Sequence, residues 1–321
     1  MTEPKAELHL HLDCCASYAA VKALSPAVTL AEYRRDFIAP ARCADLADFL
    51  LRPPRIVALM QDERGLRLIV EDVFDQLARD GVIYAELRFA PLLHTERGLR
   101  PEDVVAIVER ATAEAAAATG IEARLILCTL RHFTAEDSLR TAQLAAGFRG
   151  SLVTALDIAG DEAGFPLDAH EPAFRHAEEH GLRRTAHAGE GAGSASVRAV
   201  LARLRPERIG HGVRAIEDEA LVAHLRDERI HLEVCPSSNV QTGVVDSYAD
   251  HPVDRLLRAG IHLSISTDAR TVTDVTLMRE HERLRAAFGW SDAELRRCTR
   301  NALEAAFVDD ATRDRLLARL P

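Results

Sequence analysis

"AELHLHLDCC", residues 6–15, is the stretch from which the rest of the chain is read. Apolar and polar residues alternate through it with the period of a strand, in which positions i and i+2 leave by the same face. His9 and His11 therefore project to one side, near enough to share a metal ion, and Asp13 follows at once. An HxH pair alone is more often two core or surface histidines. The remaining sequence has to decide.

Seven further β-rich runs follow, each trailed by a helical pattern. They are VIYAELRF (82–89), ARLILCTL (123–130), SLVTALDIA (151–159), LRRTAHA (182–188), RIGHG (208–212), IHLEVCP (230–236) and IHLSIST (261–267). Several are apolar almost throughout, as expected of parallel strands covered on both faces. Helix punctuation separates them. Leu66–Asp80 is periodic and stops at Gly81, Pro101 opens a helix that runs to Gly120, and Ser291 with Glu294 forms a capping box. About eight β-then-α units predict a single-domain (β/α)8 TIM barrel over residues 1–321. A doubly wound sheet is the runner-up, but no GxGxxG follows the first strand. One connection is abnormally long, with helical stretches near 29–37 and 43–51. Long ordered connections on such scaffolds are often functional, so residues 14–80 are expected to contain a helical lid inserted after strand 1.

Composition narrows the function classes. The chain has 321 residues, 47% of them hydrophobic, and a formal net charge of −10. No basic stripe offsets that acidity, which argues against nucleic-acid binding. No apolar run reaches membrane-spanning length, so no membrane partner and a cytoplasmic location are expected. The six cysteines are scattered without a CxxC pair, unlike a disulfide framework or a structural zinc knuckle.

In a barrel of this kind, functional residues gather at the C-terminal ends of strands. Read in order, those ends give HLHLD, IAGDE, HAGE, GHG, EVCPSSN and STDAR. His9, His11, His187 and Asp268 offer three imidazoles and one carboxylate, a set that suits Zn²⁺ with a water in the open position. Each has a bland reading alone, as a buried histidine or an aspartate cap. Four such residues on converging strand ends are much harder to dismiss.

In order and spacing, the motifs ELHLHLD, AGDE, HAGE, GHG, CPSSN and STD resemble those of the adenosine deaminase family across nearly the whole chain. The resemblance implies a (β/α)8 barrel, one Zn²⁺ per chain, and hydrolytic removal of the 6-amino group from an adenine nucleoside or a relative. It implies that His9, His11, His187 and Asp268 hold the metal. Glu190 would shuttle the proton, His211 would assist the activated water, Gly160 would approach the purine by its backbone, and Asp13 would meet the sugar end. The chemistry supports these roles, because attack at C6 needs a proton on a ring nitrogen and a carboxylic acid in reach can supply it. His211, as a cation, could steady the developing oxyanion.

Lysine is scarce: only Lys5 and Lys22 occur. A two-metal site bridged by a carbamylated lysine at strand four is thereby unavailable, and one zinc is expected. Two positions depart from the family pattern. Cys14 and Cys15 stand where a glycine usually follows Asp13, and Ala269 replaces a second aspartate expected at the purine N7 edge. The metal set is intact while part of the base-reading set is missing. The substrate is thus adenosine or a related 6-aminopurine nucleoside. Alternatives are adenine base, an N6-substituted adenine or a 5′-modified adenine nucleoside, with a non-catalytic purine-binding barrel as a different class. The oligomeric state is not legible in the sequence.

Overall fold

The computed structural model describes residues 3–321. Eight strands form one sheet in sequence order, each parallel to the next. They are β1 (Lys5–His11), β2 (Val82–Phe89), β3 (Glu122–Leu130), β4 (Val153–Ala159), β5 (Arg183–Ala188), β6 (Arg208–His211), β7 (His231–Val234) and β8 (Leu263–Ile265). The sheet closes between β1 and the segment leaving β8. Leu10 bridges Asp268, His11 N donates to Asp268 O at 2.8 Å, and Asp268 N donates to His9 O at 3.0 Å. The architecture is a (β/α)8 barrel, and its closing seam already places both β1 histidines beside Asp268.

Strand parity then sorts the side chains. Leu10, Leu87, Phe89, Leu156, Ile158, Ala186, Ile209, Leu232 and Val234 belong to the main apolar core between strands and helices. Burying each large aliphatic side chain there contributes about 1.5–3 kcal/mol. The opposite parity is polar. Glu86, Arg88, Asp157, Thr185, Arg208 and Glu233 are all buried and meet one another across the barrel. Strands that read as apolar runs thus carry one charged or polar position in two facing inward.

The connection from β1 to β2 holds helices at Tyr18–Leu24, Leu30–Asp36, Leu46–Phe49, Pro53–Val57 and Glu63–Asp80. The expected stretch near 29–37 forms behind a Thr29–Glu32 capping box, whereas that near 43–51 shortens to one turn capped by Asp45. Gly81 ends the long helix at φ 75°, a left-handed conformation that glycine adopts without a Cβ penalty. The Ser291–Glu294 box is also present. All six cysteines are buried and unpaired. No helix among the described residues is long and apolar enough to cross a membrane.

Candidate active site

The C-terminal ends of the strands bring five titratable side chains to one point. His9 and His11 close β1, His187 lies near the end of β5, His211 ends β6, and Asp268 follows β8. Donor atoms of His9, His187, His211 and Asp268 all lie within 4.8 Å of one another. His11 joins from the side: its Nε2 is 3.1 Å from His187 Nε2 and 3.4 Å from Asp268 Oδ1. Asp268 Oδ1 is also 3.4 Å from His9 Nε2.

The groups behind the imidazoles determine what they offer. His9 Nδ1 is 2.8 Å from Glu233 Oε2, and His187 Nδ1 is 3.2 Å from Asp157 Oδ1. Ionised carboxylates only accept hydrogen bonds, so each Nδ1 carries the proton and each Nε2 keeps its lone pair. Burial alone would raise both carboxyl groups. His187 and Arg88 at Asp157, and Arg88 and Arg208 at Glu233, outweigh it and keep both ionised. Burial also favours neutral rings, holding His187 below its ordinary pKa and His11 down to about 3, whereas at His9 burial and Arg88 are outweighed by Asp268 and Glu233, which raise its pKa. His9 Nε2 is buried without a hydrogen-bond partner. A buried lone pair aimed at other nitrogen and carboxylate donors is what a borderline divalent ion such as Zn²⁺ requires, so these residues fit one.

The backbone is bent to reach this arrangement. His211 and Asp268 have φ of 59° and 64°, left-handed values that cost a non-glycine residue about 1–3 kcal/mol. Gly210 has a different necessity: a Cβ there would stand 2.8 Å from His9 Cε1. The His9 ring fills the space a side chain would need.

Glu190 sits on the loop leaving β5. Its carboxyl is buried, with Oε2 3.4 Å from His211 Nε2. Burial, then the charges of Asp268 and Glu162, push its pKa well above the usual carboxylate range and favour its protonated form. Glu162 fixes the loop by accepting the N–H groups of Gly189 at 2.7 Å, Glu190 at 2.9 Å and Ala192 at 3.0 Å.

A cavity of about 590 Å³ opens over these groups, a size typical of small-molecule sites. His11, Asp13, Gly160, His187, Glu190, His211 and Asp268 line its floor, and the insertion supplies an apolar wall that includes Leu46, Phe49, Leu50 and Val57. No lysine or arginine lines it among the described residues. Asp13 Oδ2 accepts Ala90 N–H at 3.1 Å and lies 3.9 Å from His94 Nε2. Gly160 reaches the cavity at φ 102°. Ala269 is buried in one apolar cluster with Cys14, Leu46 and Phe49. Burial and Asp13 raise the Cys14 thiol well above its ordinary pKa, which keeps it protonated beside the floor.

No role was assigned from the sequence to Arg88, Asp157, Glu162 or Glu233. Arg88 joins the two carboxylates, donating to Asp157 Oδ2 at 2.8 Å and to Glu233 Oε2 at 2.6 Å. The signal was a charge at alternate positions of otherwise apolar strands, as in VIYAELRF and IHLEVCP.

The sequence profile described as adenosine deaminase matches residues 4–321. The chain belongs to the adenosine deaminase family. Among curated relatives, an adenine deaminase of Rhizobium johnstonii is 39% identical over 98% of each chain. An adenosine deaminase of Mycobacterium avium is 38% identical over 95% of this chain and 90% of its own. Among solved structures, an adenine deaminase from Arthrobacter aurescens superposes with a TM-score of 0.91 at 29% identity, covering 99% of this chain and 98% of that one. An amidohydrolase from Burkholderia ambifaria with bound Zn reaches 0.89 at 25% identity, over 98% of this chain and 89% of that one. Membership of the family makes this chain a metal-dependent aminohydrolase, and the imidazole–carboxylate cluster is where its residues fit the metal.

Proposed function

We propose that this protein hydrolytically removes the 6-amino group of adenosine or a related uncharged 6-aminopurine, using one Zn²⁺ held by His9, His11, His187 and Asp268. The observation that carries the reading is the set of inward-facing Nε2 atoms of His9 and His187, imposed by Glu233 and Asp157, next to the buried carboxyl of Glu190. When bound, zinc lowers the pKa of its water from about 16 towards about 7. Glu190 delivers a proton to the purine ring nitrogen as C6 is attacked; the proton of the added hydroxyl passes to the departing amine, which leaves as ammonia, and Glu190 regains its proton from the next water. Asp13 is placed to take a hydroxyl of the sugar, Gly160 leaves its backbone open to the purine edge, and the wall from residues 46–58 excludes water as a lid.

The lining of the cavity bears on substrate class. A 5′-phosphate would meet carboxylates and no lysine or arginine, so the substrate is a nucleoside or base rather than a nucleotide. The similarity to adenine deaminases keeps adenine base as the second reading. Ammonia release from adenine, adenosine, a 5′-modified adenosine, N6-methyladenosine and AMP, with elemental analysis of the same sample, tests both parts. The expected result is one zinc per chain and turnover confined to the uncharged purines. Two metals per chain, or AMP as the best substrate, overturns it.

A further inference from the structure

We propose that Asn239 and His251 act as positioning residues that lock His211 into the neutral tautomer with its proton on Nε2. His211 is then a hydrogen-bond donor at the reacting centre and neither a base nor a cation. The inference rests on the deaminase reading for its functional consequence, but its geometry stands alone.

The polarity of the chain is set at its far end by a group that can only donate. The backbone N–H of Val253 donates to His251 Nδ1 at 3.1 Å. That nitrogen is therefore an acceptor, and a neutral His251 must carry its proton on Nε2. His251 is buried, and burial alone lowers its pKa to about 3, which keeps it neutral. Its Nε2–H points at Asn239 Oδ1, 3.1 Å away, which fixes the amide with its oxygen towards His251. The amide nitrogen then faces the other way and donates to His211 Nδ1 at 3.2 Å. An Nδ1 that accepts a hydrogen bond cannot hold a proton, so the proton of His211 is on Nε2, 3.4 Å from Glu190 Oε2.

The support is rigid as well as polar. His211, Asn239 and His251 are all buried. Asn239 rides on the short helix Pro236–Gln241, whose Ser237 N–H is held by Glu280 Oε1 at 2.9 Å. The consequence separates His211 from the other imidazoles. His9 and His187 present lone pairs because carboxylates stand behind them, while His211 presents an N–H because an amide donor stands behind it. Its donor atom lies among the clustered ones but has no lone pair to give a metal. A neutral donor directs the attacking oxygen and stabilises charge that develops on it.

The test reads the proton directly. Long-range ¹H–¹⁵N correlation spectra of uniformly labelled protein, metal-free and zinc-loaded, distinguish the two neutral tautomers of each histidine. His211 is assigned by the signals lost in His211→Gln. Wild-type His211 and His251 are expected in the Nε2–H form, and Asn239→Asp, nearly isosteric but accepting only, moves the His211 proton to Nδ1. The same substitution lowers kcat by about 10²-fold with KM and zinc content little changed. His251→Phe lowers kcat in the same direction, and His251→Gln, whose amide can donate, recovers most of that loss. A wild-type His211 protonated on Nδ1, or a tautomer unmoved by Asn239→Asp, overturns the proposal. The wild-type spectrum decides by itself if a variant does not fold. An Nε2–H signal in a protein that releases no ammonia would reject the deaminase reading and leave the tautomer assignment standing.

Discussion

The barrel has a group of imidazoles at each end, and only one of them leaves ring nitrogens without a protein partner. At the N-terminal end, His231 Nδ1 lies 2.9 Å from His262 Nδ1, His231 Nε2 bonds Ser264 Oγ at 2.8 Å, and His262 Nε2 meets Glu304 at 3.2 Å. Every ring nitrogen there has a protein partner. At the C-terminal end, Glu233 and Asp157 occupy the Nδ1 atoms of His9 and His187 and leave the Nε2 atoms converging. Counting histidines therefore does not find a metal centre. What finds it is the direction of lone pairs that the protein leaves unpaired, and buried carboxylates set that direction.

The comparison breaks most severely at Glu233. Arg88, Arg208, Thr185 and His9 all lean on this carboxylate. Glu233→Gln leaves buried guanidinium groups short of their counter-ion, and an unfolding free energy lower by about 3–5 kcal/mol is expected in urea titrations. Unchanged stability would mean the interior pairs do not form. Next in size is Glu190→Gln, which keeps fold and metal but cannot carry a proton; kcat falls by at least about 10²-fold. Full turnover in the zinc-loaded variant would assign the proton to another group. Asp157→Asn removes the acceptor that orients His187 and weakens metal binding by about 10- to 100-fold, read by competition with a chelating dye.

Two smaller effects sharpen the contrast. His231→Phe, at the opposite end, costs about 1–2 kcal/mol through unpaired Ser264, while metal content and kcat stay unchanged. Loss of metal in that variant would erase the distinction between the two ends. Glu280 differs from Asp157 and Glu233 in having no full ion pair. Burial raises its pKa to about 7, against the hydrogen bonds of Ser237 and Tyr248 and the charge of Arg283. A raised carboxyl pKa means that the folded state binds the proton more tightly. Its stabilisation is complete below the unfolded pKa and is lost as pH rises through about 7. Up to about 1 kcal/mol of unfolding free energy is therefore expected to disappear between pH 6 and pH 7. Glu280→Gln removes that slope; a slope unaffected by the substitution assigns it elsewhere.

The alternation in AELHLHL was enough to put His9 and His11 on one face, because strand period is a local property of the backbone. Strand ends were legible for the same reason, and so were the stops at Gly81 and Gly120 and the Ser291–Glu294 box. The insertion was less legible. Helices as short as Leu46–Phe49 and Pro53–Val57 carry too few residues for a periodic pattern to rise above composition.

The eight-unit barrel, the family and the residue types gathered at the strand ends were all readable along the chain. Period, caps and motif spacing are written along the chain. Which nitrogen of an imidazole faces the cluster is settled instead by contacts between distant parts of the chain. That depends on Glu233, Asp157 and Asn239, which lie 224, 30 and 28 positions away from the rings they face. A carboxylate behind one ring and an amide behind another give identical side chains opposite roles, and those partners meet only when the sheet closes.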